Sequence, residues 1–90
     1  MGVIYVCEFT YVIKDEIGIH ARPAGALAKI AKEAQSEITV YCKDKTADPK
    51  KIFSLLALSA KQGDEIRITA NGPDEETVCE KLKEFLTENL

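Results

Sequence analysis

The stretch Gly18-Ile19-His20-Ala21-Arg22-Pro23-Ala24 constrains the fold most, because one hydrophobic period gives way to another there. Before it, Ile4 to Ile13 is rich in β-branched and aromatic residues. Cys7, Phe9, Tyr11 and Ile13 fall on one side and Glu8 and Thr10 on the other, which predicts a first strand. After it, Leu27, Ile30, Ala31 and Ala34 recur at spacings of three and four, which predicts a helix from about Ala21 to Ala34 with these four as its buried stripe. Lys14 to Gly18 is the turn between them, and Gly18 permits a backbone conformation that residues with a Cβ resist. Pro23 is compatible with a first helical turn, where its missing N–H has no intrahelical acceptor anyway. The single histidine, His20, therefore falls at or just before a helix start.

The rest of the chain follows by the same rules. Ser36 to Cys42 alternates and predicts a second strand; Thr46 to Asp48 is a short edge strand broken by Pro49. Lys50 to Ala60 predicts a second helix, and Glu65 to Ala70 a fourth strand with Ile66, Ile68 and Ala70 inward. Asn71-Gly72-Pro73 breaks the chain, and Asp74 is a suitable N-cap for a third helix whose stripe is Val78, Leu82, Phe85 and Leu86. The order is β-α-β-β-α-β-α across one domain, residues 1–90. Strands with one apolar face predict an α+β open-faced sandwich, a four-stranded antiparallel sheet covered on one face by three helices. A ferredoxin-like split β-α-β shares this order, and order alone does not identify function.

Bulk properties narrow the function classes. A net charge of −3 argues against nucleic acid as the main partner. No apolar run approaches the length of a membrane span, and the N-terminus lacks the basic region and cleavage site of a signal peptide, so membrane insertion is not expected and a cytoplasmic location is. Cys7, Cys42 and Cys79 are odd in number and widely spaced; they read as small buried hydrophobes, with no metal and no cofactor expected. Within the acidic total, Arg22, Lys29, Lys32, Lys43, Lys45, Lys50 and Lys51 crowd the middle of the chain, which suits an anionic ligand or an acidic partner surface.

The chemistry of the opening stretch fits that charge. Unpaired N–H groups and the dipole at a helix start favour an anion. Arg22 adds a permanent cation able to grip phosphate in bidentate fashion. Histidine as a residue titrates near neutrality, so a neutral, nucleophilic imidazole is available. Together these describe a place to hold a phosphoryl group on His20, with the Ala21 and Arg22 backbone as support. The second predicted helix carries apolar residues nearly all round its axis. Leu55 and Leu58 can serve the core; Ile52, Phe53 and Leu56 then leave apolar surface bordered by Lys50 and Lys51, a pattern for docking. Gly25, in the first helix, either frays that turn or leaves room for a partner.

With these residues placed, Gly18 to Ala24 resembles the active-site signature of the HPr family, the histidine phosphocarriers of the bacterial phosphoenolpyruvate-dependent sugar phosphotransferase system. The resemblance extends to Ile52-Phe53-Ser54-Leu55-Leu56-Ala57-Leu58, which is similar to the family's short apolar helix, and to the segment from Gly63 to Glu75, similar to its last strand and turn. It implies a monomeric carrier, not an enzyme, that accepts a phosphoryl group on Nδ1 of His20 from phosphorylated enzyme I and passes it to a histidine of enzyme IIA. By the same resemblance Arg22 assists transfer, Ile52, Phe53 and Leu56 dock partners, and Lys29 and Lys32 edge that surface. A carrier for a nitrogen-regulatory or dihydroxyacetone-kinase branch, and a regulatory docking module that carries no phosphate, stay open as alternatives; the intact His20 argues against the last. Two positions depart from the family's pattern. Lys51 stands where Gram-positive members have a regulatory serine, so serine control is not expected. Ile17 stands where a small polar residue is usual.

Overall fold

The structure, a computed structural model, describes residues 7–90. It contains β1 (Cys7–Val12), α1 (Ala21–Glu33), β2 (Glu37–Cys42), β3 (Lys45–Ala47), α2 (Ile52–Ala57), β4 (Glu65–Asn71) and α3 (Glu75–Asn89). The expected part of the first strand at Ile4 to Val6 lies outside the described residues. The four strands form one sheet in the order β1-β4-β2-β3, every pairing antiparallel. β4 lies between β1 and β2, so the β1-α1-β2 unit is split, as the element order suggests.

Alternation decides which sheet face is covered. Phe9 pairs with Ile68, which pairs with Val40. All three are buried on the helix side with Ile38, Ile66 and Ala70. Arg67 projects from the open face, where its guanidinium lies 4.1 Å from the Tyr41 ring centroid and 3.2 Å from the Glu8 carboxylate. α3 packs on β1 and β4, and α1 packs on both other helices. Cys42 and Cys79 are buried and Cys7 half-buried, all three as free thiols. No helix among the described residues is long and apolar enough to cross a membrane.

Three expectations need correction. The buried stripe of α1 is Pro23, Ala24, Leu27, Ala28 and Ala31, with Ile30 and Ala34 only half-buried at its edge. Alanines make up most of the inner face and let the helix lie close to its neighbours, while Ile30 lines a shallow surface depression together with Phe85 of α3. Secondly, α2 has six residues rather than the eleven from Lys50 to Ala60. Pro49 is buried in the preceding turn, which the Asp48 carboxylate and the Ser54 hydroxyl tie down by accepting the N–H groups of Lys50 and Asp48. The helix ends early because Ser59 takes a left-handed conformation, φ 54°. Thirdly, Asp74 occupies the N-cap position of α3 but makes no side-chain cap to it. Its carboxylate instead accepts from the Gln35 N–H (2.9 Å) and the buried Ser36 hydroxyl (2.5 Å).

Candidate functional site

β1 delivers the chain to a turn at residues 13–19 that is pinned almost entirely by backbone groups. Ile13 exchanges hydrogen bonds with the segment 63–64: its N–H donates to the Asp64 carbonyl (2.9 Å) and its carbonyl accepts from the Gly63 N–H (2.8 Å). The N–H groups of Lys14 and Asp15 donate to the Leu90 carbonyl. The Asp15 side chain accepts from the Ile17 N–H at 2.8 Å, closing an Asx turn. Gly18 follows at φ 79°, a conformation that a Cβ would strain. The buried Ile19 side chain fixes the chain just before His20.

His20 is the N-cap of α1, in extended backbone, and its imidazole makes no cap hydrogen bond. It is half-buried, so part of the residue meets solvent. The His20 carbonyl accepts the Ala24 N–H at 2.9 Å, the first turn's closing bond. Pro23 has no N–H to offer. The donors left at this helix start are therefore the N–H groups of Ala21 and Arg22. No acidic residue lies in the first turn. Arg22 is exposed, and its guanidinium joins no ion pair among the described residues. The imidazole, two backbone donors and a free guanidinium thus occur within three residues, with no internal anion to occupy them.

The expected docking residues divide. Phe53 is 85% exposed and Ile52 37% exposed, so both present apolar surface to solvent. Leu56 is half-buried and packs against the core, with Leu55 and Leu58 fully inside as expected. α2 meets α1 near the histidine: a Cβ on Gly25 would lie 3.9 Å from Ile52 Cδ1. Lys29 and Lys32 are exposed on α1. The α-helical rise puts Lys32 about 18 Å along the axis from His20, so these two border the site at a distance. Ile17 is 69% exposed beside the histidine turn. What sequence reasoning missed is the segment after α2. Ala60, expected only as the last residue of the second helix, accepts the Ile19 N–H at 3.0 Å. No residue type signals a backbone acceptor, so only the fold reveals it.

Residues 7–88 match the family described as PTS HPr component, phosphorylation site. The chain belongs to the HPr family. It is 36% identical over 81 residues to the phosphocarrier protein HPr of Mycoplasma capricolum, covering 90% of this chain and 91% of that one. The fold matches a solved mycoplasma histidine-containing phosphocarrier protein with a TM-score of 0.89 at 35% identity, over 91% of this chain and 93% of that one. An HPr dimer from Thermoanaerobacter tengcongensis matches at a TM-score of 0.73 and 31% identity, over 87% and 90% of the two chains. The four-stranded open sheet with three helices is the HPr architecture. The protein is accordingly a phosphocarrier of the phosphotransferase system, a relay component of sugar transport rather than a catalytic enzyme, and it works among that system's other components.

Proposed function

We propose that His20 is the residue that carries the phosphoryl group. It receives the group from phosphorylated enzyme I and yields it to a histidine of an enzyme IIA domain. The lone pair of a neutral imidazole nitrogen, Nδ1 by resemblance to the family, forms a new P–N bond as the donor's P–N bond breaks. Onward transfer runs the same exchange in reverse. Between two histidines the bond broken and the bond formed are alike, so the protein needs alignment and charge stabilisation more than covalent machinery. The Ala21 and Arg22 N–H groups and the Arg22 guanidinium supply that stabilisation. The observation that carries this reading is a half-buried histidine at the N-cap position of a helix whose first turn holds no acidic residue.

Ile52, Phe53 and Leu56 form the partner-docking surface, with Lys29 and Lys32 at its edge. Exposure of Phe53 supports that reading, since such a side chain gains by being covered. In this reading the carrier works in the cytoplasm, and as a monomer, a state that leaves both His20 and the exposed Phe53 open to a partner. Lys51, exposed at the start of α2, leaves no hydroxyl for serine-type control at that position.

The test is incubation with phosphoenolpyruvate and enzyme I, followed by mass spectrometry. The expected product is an acid-labile adduct about 80 Da heavier, one phosphoryl group, absent from His20→Ala. No adduct, or one that survives His20→Ala, overturns the assignment.

A further inference from the structure

We infer that the segment Ser59–Lys61 is a splint that registers helix α2 with His20, and that Gly18 is a positioning residue for phosphoryl transfer. The inference rests on the reading above, in which partners dock on α2 and His20 carries phosphate. Its basis is a set of backbone contacts. At the end of α2 the Leu58 N–H donates to the Leu55 carbonyl (3.2 Å) and the Ser59 N–H to the Leu56 carbonyl (3.1 Å). Ser59 then reverses the chain at φ 54°. That reversal carries the next carbonyl, of Ala60, to the Ile19 N–H at 3.0 Å, one residue before His20.

Gly18 completes the contact from the other side. A Cβ built there would fall on the Ala60 carbonyl oxygen and 2.8 Å from Lys61 Cα. Both obstacles are main-chain atoms, which cannot swing aside as a side chain can. The far end of the splint is anchored as well. The Asp64 carboxylate accepts the Lys61 N–H at 2.9 Å, and the Asp64 N–H donates to the Lys61 carbonyl at 2.9 Å. Asp64 in turn exchanges backbone bonds with the β1 exit through Ile13 and Gly63.

The consequence is geometric. A partner seated on Ile52 and Phe53 must bring its phosphorus to bonding range of His20, so transfer depends on the offset between α2 and the imidazole. Where α1 meets α2 at Gly25 and Ile52 the approach is loose, with room even for a Cβ at 3.9 Å from Ile52 Cδ1. The Ala60 bridge fixes the same offset through main chain. Errors of an ångström in such an offset cost rate steeply, while leaving the docking contacts themselves in place.

The experiment is steady-state transfer from phosphorylated enzyme I to Gly18→Ala, with wild type alongside. The expected result is a kcat lower by about tenfold or more, with KM for the carrier within about twofold of wild type. Faster hydrogen exchange of the Ile19 amide should accompany it. Should Gly18→Ala not fold, a full-length synthetic chain with an ester in place of the Gly18–Ile19 amide removes the Ile19 N–H without adding volume, and the same split is expected. A folded variant of either kind with wild-type kcat overturns the splint and leaves the carrier reading standing. A wild-type protein that takes no phosphoryl group overturns both.

Discussion

Two helix starts in this protein use similar parts to opposite ends. Each follows a glycine that lets backbone approach closely: Gly18 lies against Ala60 and Lys61, and a Cβ on Gly72 would lie 2.6 Å from Ser36 Cα. At α3 the positive end of the helix is filled from within. Glu75 and Glu76 lie in the first turn, and the buried Glu75 carboxylate accepts the Gly72 N–H at 3.2 Å. At α1 the first turn has no acid, and the cap is a histidine whose ring makes no bond to it. The dipole and unpaired donors are the same physics in both places. In α3 the chain's own first-turn carboxylates, Glu75 and Glu76, meet the dipole and stabilise the fold. In α1 the dipole and donors are left for an anion from outside, which is what a carrier of phosphate requires.

The largest effect is expected from making α1 resemble α3. Ala21→Glu puts a carboxylate into the open first turn, where it is favourable to the helix by about 0.3–1 kcal/mol. It also sets a negative charge against the incoming phosphoryl group. Phosphate incorporation should fall by about 100-fold, the scale on which losing one oriented donor acts, while urea melts show stability unchanged or slightly raised. Ala21→Gln, similar in size and uncharged, should retain most of the rate. Equal losses in the two variants would mean that bulk, not charge, matters at this helix start.

A second expectation separates the α3 end by pH. The Asp74 carboxyl is held below its ordinary range first by the Ser36 hydroxyl and then by the Gln35 N–H. Asp64 is held low as well, first by the Lys61 N–H and in part by the Lys43 ammonium 3.5 Å away. Because both folded-state values are depressed, the stabilisation is present above the unfolded value near 3.8 and is lost as pH falls through the folded values. Asp74→Asn should therefore lower the melting midpoint at pH 6, and the gap from wild type should narrow steadily toward pH 2.5. A gap that stays constant with pH would show that the carboxylate form is not what the Ser36 contact uses. Phosphoryl transfer at neutral pH should be unaffected, since the docking face proposed above lies on α2 and not on α3.

How much of this was legible beforehand differs between the two helix starts. The α1 start was legible because each part announces itself by residue type: a histidine, an arginine, a proline and a glycine in one short run. The apolar excess on α2 was legible too, since periodicity says how many residues a single core contact can absorb. The α3 start was half legible. Asp74 has the chemistry of an N-cap, and the sequence does not reveal that Ser36 and Gln35, remote along the chain, compete for its oxygens. Local propensity loses here to a tertiary partner. The length of α2 was misjudged for a related reason. Nothing in Ser59 signals a left-handed residue, and the contact that goes with that conformation, the Ala60 carbonyl meeting the Ile19 N–H, is remote along the chain. Strand residues Phe9, Ile66 and Ile68 were placed on the correct face by alternation alone, which needs no knowledge of partners.

The smallest expected effect concerns Gly25, where the two ends also differ. Gly18 and Gly72 have main-chain atoms where a Cβ would go; Gly25 has only the tip of Ile52 at 3.9 Å, an ordinary contact. It sits within the continuous helix α1. Gly25→Ala should then stabilise the protein by about 1 kcal/mol through helix propensity, read as a rise in melting midpoint of about 4–8 °C for a domain of this size. If the missing Cβ serves a partner's close approach, the same variant should raise KM for transfer while kcat holds, the reverse of the split expected for Gly18→Ala. A more stable variant with unchanged KM would instead make Gly25 a stability cost without a docking role. The surface that partners use would then lie wholly on the α2 side of His20.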